Sequence, residues 1–390
     1  MKTLKYLILA LSLSTFVAAA QTGDSLTTRP VQVTFFYPIG TNGIESPDYN
    51  NHFSFNILSG LNGGMNGVEI GSISNINTGD VNGFQIAGIT NVNMKSANGV
   101  IISGITNIIK DSSQSICVAG ISNVVGGTSL NTGVQIAGIS NVNNSNFIGG
   151  QISGIATINN GDLQGIQAAG ISNVNNGDLS GVQVSGISNI VNGDVSGCQV
   201  GLINRSKNVK GFQFGLVNVA NEFEHGVPLG LISFVKNGYH AFEISTSDVI
   251  YVNLNFKMGV DKLYTIYKIG YTMNQDNKYI TYGLGLGSKI ELTDRFSLSI
   301  DGSSNHIVKT GFTSNFDLLC KADMAFRFKM NEYFSLFAGP SFNIYLSEHD
   351  LDSESTALKV PYTLYSDNWW NENGSTSIWI GGTAGVSVKF

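Results

Sequence analysis

The sequence has few charged residues, few prolines and few cysteines, and each shortage excludes a class of protein. Charged residues make up 12% and hydrophobic residues 42% of the 390 positions, which argues against disorder. Six prolines beside 47 glycines, without a Gly-X-Y register, exclude collagen. The 21 basic and 27 acidic residues give a net charge of −6, which argues against a nucleic-acid-binding protein.

Long apolar runs are absent except at the N-terminus. Lys2 and Lys5 precede an apolar stretch that ends in three alanines before Gln21, which is the pattern of a secretory signal peptide over residues 1–20. No other run is long enough for a membrane-spanning helix, so any membrane insertion must use strands. The three cysteines are an odd number for an exported chain, and we expect all of them to be unpaired, buried thiols.

Much of the first half of the chain is built from a repeated motif. Residues 133–142 read GVQIAGISNV and residues 165–174 read GIQAAGISNV, both of the form G-Φ-Q-Φ-x-G-Φ-x-N, where Φ is apolar. The central glycine recurs with spacings of 14 to 18 residues, which indicates a repeat architecture. These central glycines are Gly71, Gly88, Gly104, Gly120, Gly138, Gly154, Gly170, Gly186, Gly201, Gly215 and Gly230.

The pattern within one repeat predicts two short strands joined by a bend. Val134 and Ile136 alternate as in a strand, but Ile139 and Val142 break the alternation, so the chain must bend between the two pairs. Asn-Gly-Asp between repeats, as at 160–162, favours a tight turn.

Stacked repeats of this kind predict a β-solenoid of about 16-residue coils over residues 67–234, with residues 21–66 as an N-terminal cap. We expect the aliphatic side chains to stack inward. In an alternative interpretation, each repeat is one membrane strand, and the repeats belong to one larger barrel that conducts small solutes.

An asparagine follows the central glycine by three residues in most repeats. In a solenoid these amides would stack and hydrogen-bond to one another, which satisfies polar groups at a buried bend. A row of asparagines that binds a ligand is the alternative. The predicted structural Asn ladder consists of Asn91, Asn107, Asn123, Asn141, Asn173, Asn189, Asn204 and Asn218.

Residues 235–390 have longer strands with strict alternation. Met324, Phe326 and Phe328 alternate with Ala325 and Arg327, so one side of this strand is apolar and the other is polar or charged. Eight such strands, with short and long connections in turn, predict an eight-stranded antiparallel up-and-down β-barrel of the outer-membrane type. A soluble sheet with one wet face is the alternative.

Two resemblances follow from these residues. The ending Gly385–Phe390 resembles the C-terminal insertion signal of bacterial outer-membrane barrels. The G-Φ-Q-Φ-x-G-Φ-x-N repeats resemble an uncharacterised family of surface-repeat proteins of diderm bacteria. Together the resemblances cover residues 67–390, and they imply a location in the cell outer membrane without an assigned activity.

Residues with catalytic or metal-binding potential do not converge in the sequence. The five histidines lack metal-ligand spacing. Asp162, Asp178 and Asp194 are spaced by 16 residues and are explained by turn formation, with a column of carboxylates that binds Ca²⁺ as the alternative, and no metal site is predicted. Trp369 and Trp370 form the best candidate for a binding contact, with folding back onto the barrel rim as the alternative.

The sequence therefore predicts a non-catalytic outer-membrane protein with a structural or binding role and no cofactor. The expected partners are outer-membrane lipid and a surface or periplasmic macromolecule. The side of the membrane on which the repeats lie stays open.

Overall fold

The structure, a computed structural model, describes residues 26–274, 277–309, 317–348, 358, 360, 362–369 and 374–390. The predicted fold class is confirmed, because parallel solenoid coils precede a closed eight-stranded antiparallel barrel. The predicted signal peptide lies outside the described residues. The chain forms two compact units, Met1–Gly138 and Ile139–Phe390.

The described part of the first unit begins with two long strands, a two-residue strand and a 3-10 helix. These elements are β1 (Thr27–Phe36), β2 (Ile39–Gly40), the helix (Gly43–Asp48) and β3 (Tyr49–Asn62). β1 and β3 pair in parallel, with Thr27 opposite Tyr49. The buried Gln32 of β1 accepts hydrogen bonds from Asn42 at 2.7 Å and from Ser46 at 2.9 Å, so polar groups of the helical segment cover the end of the interior.

The remaining strands of the first unit alternate between a long and a short type, with a bend after each long strand. Equivalent positions of successive coils pair in parallel, for example Gln85 with Ile101. The strands are β4 (Gly64–Gly71), β5 (Ser74–Asn77), β6 (Val81–Ala87), β7 (Thr90–Asn93), β8 (Ala97–Ser103), β9 (Thr106–Ile109), β10 (Ser113–Ala119), β11 (Ser122–Val125) and β12 (Asn131–Ala137).

The second unit opens with further coils of the same kind. Gly154-Ile155 forms the bend between a long and a short strand, as the broken alternation predicts. The strands are β13 (Ser140–Asn143), β14 (Phe147–Ser153), β15 (Ala156–Asn159), β16 (Leu163–Ala169), β17 (Ser172–Asn175), β18 (Leu179–Ser185), β19 (Ser188–Val191), β20 (Val195–Val200), β21 (Ile203–Arg205), β22 (Asn208–Phe214), β23 (Val217–Ala220), β24 (Glu222–Leu229) and β25 (Ile232–Val235).

The direction of the side chains corrects the expectation that the aliphatic residues stack inward. Gln135 is 2% exposed, whereas its neighbour Ile136 is 39% exposed and points outward. Asn141 is buried and Ile139 is exposed. Next to the turns, apolar side chains do face inward in both units. They are Met65, Val81 and Ala97 in the first unit, and Phe147, Leu163, Leu179, Val195 and Val209 in the second.

The reason for this inversion is that a column of identical amides can satisfy itself. Coils are about 4.8 Å apart, so each buried amide can donate to the next amide and accept from the previous one, and its burial costs little. Strand alternation then places the intervening aliphatic residues on the outer surface.

The barrel follows the last coil of the second unit. Each strand is antiparallel to its neighbours, and β26 also pairs with β34, which closes the barrel. A ninth strand, β33, pairs with β34. The strands are β26 (Tyr239–Ser247), β27 (Val252–Val260), β28 (Leu263–Asn274), β29 (Asn277–Glu291), β30 (Phe296–Lys309), β31 (Asp317–Lys329), β32 (Phe334–Ser347), β33 (Tyr365–Trp369) and β34 (Gly374–Lys389).

The alternation predicted for the barrel strands is confirmed by burial. Met324, Phe326 and Phe328 point outward and are exposed, whereas Ala325 and Arg327 point into the barrel and are buried. Among the described residues, the structure contains no helix with the length and hydrophobicity required to cross a membrane.

The three thiols are free, but only one is buried as expected. Cys117 has the inward direction of its strand and is buried. Cys198 and Cys320 have the outward direction, which leaves both half-buried and corrects the expectation for these two.

Candidate functional site

Charged side chains converge at one place among the described residues, the interior of the barrel. Strand alternation directs Glu243 of β26, Lys257 of β27, Asp301 of β30 and Arg327 of β31 toward the barrel axis, and all four are buried. With three neighbours they form a set that we call the ion cluster. The ion cluster consists of Glu243, Lys257, Lys268, Asp301, Lys321, Asp323 and Arg327.

The centre of the ion cluster is a chain of alternating charges. Lys257 Nζ lies 3.0 Å from Glu243 Oε2 and 2.6 Å from Asp301 Oδ2. The Nη1 atom of Arg327 lies 2.6 Å from Glu243 Oε1. The Nε–H of Arg327 donates to Ser299 Oγ at 2.8 Å. Such short charge-assisted contacts fix the positions of the side chains that make them.

A second part of the ion cluster surrounds one carboxylate. Asp323 lies 3.6 Å from Lys268 Nζ and 3.5 Å from Lys321 Nζ. Lys268 also donates to Ser303 Oγ at 3.2 Å. Arg327 also lies 3.9 Å from Asp301, so each carboxylate of the ion cluster has two cationic neighbours, and the four cations exceed the three carboxylates by one.

The end of the barrel beyond Ser247 is closed by apolar and aromatic side chains. Trp379 and Tyr345 are buried there, and the Trp379 indole donates to Asp248. Tyr345 donates to Asp317 at 2.6 Å. The full set of buried residues is Val249, Ile250, Tyr279, Ile307, Leu319, Tyr345, Leu358 and Trp379.

These groups occupy the barrel rather than lining an open site. The gap that remains beside the ion cluster has room for about one water molecule. Within the part of the chain that the structure describes, no group of three or more His, Cys, Asp and Glu side chains could hold a metal ion. The arrangement can fix and shield charges, and it offers no space for a substrate at the ion cluster.

The solenoid interior contains the predicted asparagines. In the first unit, Asn91 donates to Asn107 Oδ1 and Asn107 donates to Asn123 Oδ1, both at 2.9 Å. Each also donates to a backbone carbonyl, for example Asn91 to Ile102 at 2.7 Å. The amide thereby links its own bend to the following coil.

The second unit has its own column. Asn173 donates to Asn189 at 2.8 Å, and Asn204 donates to Asn218 at 2.9 Å. Asn189 donates to Asn204 Oδ1 at 2.9 Å. Asn141 is buried and donates to the carbonyl of Ile152 at 2.7 Å.

The solenoid also contains a column of stacked glutamines, which was not predicted from the sequence. In the second unit, buried glutamines donate from coil to coil over 2.7 to 2.9 Å. Its sequence signal is the Gln of the motif, which in three of these repeats has the same strand parity as a buried alanine or serine two residues later. The members are Gln151, Gln167, Gln183, Gln199 and Gln213.

Glu69 occupies the glutamine position of the first unit and is fully buried. Asn56 and Asn62 donate to Oε1 at 3.0 and 2.5 Å, and Asn77 and Gln85 donate to Oε2 at 2.7 and 2.9 Å. Burial raises the pKa of Glu69 above its ordinary value of 4.5, because the desolvation cost outweighs the four hydrogen bonds that lower the pKa.

This raised pKa predicts a pH dependence of the first unit. Since folded Glu69 binds its proton more tightly than the unfolded chain, its contribution to stability is complete below about pH 4.5 and is lost as pH rises through the folded pKa. The free energy of local unfolding of the wild-type first unit, compared with that of Glu69→Gln, should therefore fall as the pH rises above about 4.5. Hydrogen exchange of peptides covering 64–93 measures this difference.

The control for the loss of one negative charge is Glu45→Gln, which alters an exposed carboxyl group of the same unit. The Glu69→Gln difference is compared with the Glu45→Gln difference at each pH. A wild-type advantage over Glu69→Gln that grows with pH would contradict the raised pKa.

The asparagine column of the second unit predicts a position-specific loss of stability. Asn189→Ala removes the group that accepts from Asn173 and donates to Asn204 and to the Val200 carbonyl. We expect a loss of about 2 kcal/mol, because buried polar partners are left unsatisfied. Hydrogen exchange of peptides covering 179–205 reports the loss.

Two variants control for the amide itself. Asn176 belongs to an exposed column and donates to Asn160 at 2.7 Å, so Asn176→Ala should change stability by less than about 0.5 kcal/mol. Asn189→Thr should cost less than Asn189→Ala, since Thr157 occupies the equivalent position two coils earlier and donates to Asn173 at 2.6 Å. If Asn189→Ala, Asn189→Thr and Asn176→Ala all lowered the free energy of unfolding equally, the buried asparagine column would make no specific contribution to stability.

The structure also bears on the tryptophan pair and on the aspartates of the turns. Trp370 lies outside the described residues, and of Trp369 only the backbone is described, at the end of β33. Asp162 accepts the backbone N–H of Asp178 at 2.9 Å, and Asp178 accepts that of Asp194 at 2.8 Å. These carboxylates thus bond to the backbone of the adjacent turn.

Comparison of the chain with protein-family models, curated proteins and solved structures finds no match in any of the three. The resemblance to surface-repeat proteins of diderm bacteria therefore stays a prediction that rests on the repeat motif.

Proposed function

We propose that this protein is a non-catalytic protein of the bacterial outer membrane, in which the barrel is a lipid-embedded anchor and the solenoid is a structural or binding element. One observation carries this proposal: the barrel has an apolar outside and a charged inside. This distribution is the reverse of that in a water-soluble domain.

The outward side chains of the barrel support insertion into lipid. Phe242, Ile269 and Phe326, on three different strands, are 57%, 61% and 59% exposed. Leu284 and Ile380 are exposed on two further strands. A soluble protein rarely exposes a contiguous apolar surface of this extent, whereas a membrane barrel requires one.

Sequence features support the outer membrane as the location. Residues 1–20 have the pattern of a secretory signal peptide, and Gly385–Phe390 resembles a barrel insertion signal. On this proposal the partner of the barrel is outer-membrane lipid. We propose a macromolecule as the ligand of the solenoid, without naming a particular one.

A small-solute channel is the second candidate function. The version in which the repeats are strands of one larger barrel is wrong, because the repeats pair in parallel as coils. The eight-stranded barrel argues against conduction, since the ion cluster and the residues around Trp379 occupy its interior.

The test combines membrane extraction with electrical recording. The full chain, reconstituted in phospholipid vesicles, should resist extraction by alkaline carbonate and should give no stepwise conductance in a planar bilayer. Discrete conductance steps would favour the channel. Complete release by carbonate would overturn the anchor.

A further inference from the structure

One corner of each coil in the second unit carries an exposed aliphatic side chain. This residue follows the central glycine of the motif, at the bend between the long and short strands, and its exposure ranges from 40% to 51%. We call this set the aliphatic column, and it consists of Ile139, Ile155, Ile171, Ile187, Leu202, Leu216 and Leu231.

Backbone hydrogen bonds hold the aliphatic column in register. The N–H of Ile171 donates to the carbonyl of Ile155 at 3.0 Å, and the N–H of Ile187 donates to that of Ile171 at 3.1 Å. On the adjoining long strands, Ile152 and Val184 also point outward and are exposed. The apolar surface is therefore a regular band rather than a set of isolated residues.

The other end of the short strand has the opposite character. There the turns expose Asn160, Asn176 and Asn192, which hydrogen-bond to one another at 2.7 Å. Asp162 and Asp178 belong to the same turns. Each coil is thus amphipathic in cross-section, with an apolar corner at the bend and a polar edge at the turn.

Charge is almost absent from the coils up to Asn204. Between residues 139 and 204 the charged residues are Asp162, Asp178 and Asp194, all of them at the turns, whereas the last coils add Arg205, Lys207, Lys210, Glu222 and Glu224. A surface that faces acyl chains must exclude charge, because a charge in hydrocarbon is costly. A surface that faces water has no such requirement.

The aliphatic column ends on the outer wall of the barrel. Thr265 Oγ1 donates to the carbonyl of Gly230 at 2.9 Å, and the Tyr267 hydroxyl donates to the carbonyl of Leu231. Thr265 and Tyr267 have the outward parity of β28, the same as the exposed Ile269. The last coil therefore lies against the wall for which we propose contact with lipid.

We infer that the aliphatic column of the second unit binds phospholipid acyl chains, so that the coils of this unit lie on the same membrane in which the barrel is anchored, with their polar turn edge in water. This inference rests on the proposed function. It is supported by the amphipathic cross-section, by the near absence of charge in the coils up to Asn204, and by the continuity of the column with the barrel wall. The solenoid then has a membrane surface of its own.

Fluorescence quenching by lipid tests the inference on the full chain. Cys198 and Cys320 are first replaced by alanine, and a single cysteine is introduced as Ile171→Cys, Asn176→Cys or Phe326→Cys and labelled with the fluorophore NBD. Vesicles of palmitoyl-oleoyl phosphatidylcholine are compared with vesicles whose acyl chains carry bromine. The protein without an introduced cysteine accounts for any labelling of the buried Cys117.

The label at Ile171 should lose most of its fluorescence in brominated vesicles, as should the label at Phe326, while the label at Asn176 should keep its fluorescence. Quenching at Phe326 without quenching at Ile171 would overturn the inference and leave the barrel anchor standing. A blue-shifted but unquenched label at Ile171 would also overturn it, since a second copy or another protein would then cover the column. Absence of quenching at Phe326 would contradict the proposed function itself.

Discussion

Arg327→Met should destabilise the barrel by about 3 to 5 kcal/mol, because it removes one partner of a buried ion pair. Arg327 is 3% exposed, and its guanidinium lies 2.6 Å from Glu243 and 3.9 Å from Asp301. Without this cation, Lys257 alone must compensate both carboxylates. Tryptophan fluorescence, to which the buried Trp379 contributes, measures the change during urea unfolding in detergent micelles.

Arg295→Met provides the matched control, since Arg295 is exposed near the turn before β30. It should shift stability by less than about 0.5 kcal/mol. The double variant Arg327→Met with Glu243→Gln should recover part of the loss, because it removes the carboxylate left uncompensated. Equal stability of the two single arginine variants would contradict a structural role for the ion cluster.

Gly181→Ala should destabilise the second unit by at least about 3 kcal/mol, which combines backbone strain with a steric clash. Gly181 has a φ of +147°, and an added Cβ would lie 1.9 Å from the carbonyl oxygen of Gly165 in the preceding coil. The parallel coils pack too closely for the alanine methyl group. Hydrogen exchange of peptides covering 163–185 measures the effect.

Gly150 offers a control in another long strand of the same unit. An added Cβ at Gly150 meets no atom within 4 Å. Gly150→Ala should therefore leave the exchange rates close to those of wild type. Comparable losses for the two alanine variants would show that the clash is not the cause.

The barrel could be predicted from the sequence because its two faces differ in chemistry along every strand. The alternation around Met324, Ala325 and Phe326 indicates both the strand and the direction of its side chains. The contacts within the ion cluster could not be predicted. Which lysine meets which carboxylate depends on the tilt and stagger of the strands, which the pattern of a single strand does not contain.

The solenoid could be predicted only in part. The repeat and its bend follow from the motif, and the asparagines were placed at a buried bend. The inward direction expected for Ile136 was wrong, because the usual preference of aliphatic residues for the interior was applied to a core in which stacked amides satisfy one another. Gln135 and Ala137 lie on the same side of the strand, and this alternation was the signal that Ile136 points outward.

The most direct test of the central claim, that the apolar face of the barrel lies in lipid, is a scan by spin labelling and electron paramagnetic resonance. Nitroxide labels are placed at Met324, Ala325 and Phe326 in turn, in the full chain reconstituted in phospholipid vesicles. Access to oxygen, which dissolves in lipid, should be high at Met324 and Phe326 and low at Ala325, with little access of an aqueous nickel complex to any of them. Free access of the nickel complex to Phe326 would contradict the claim.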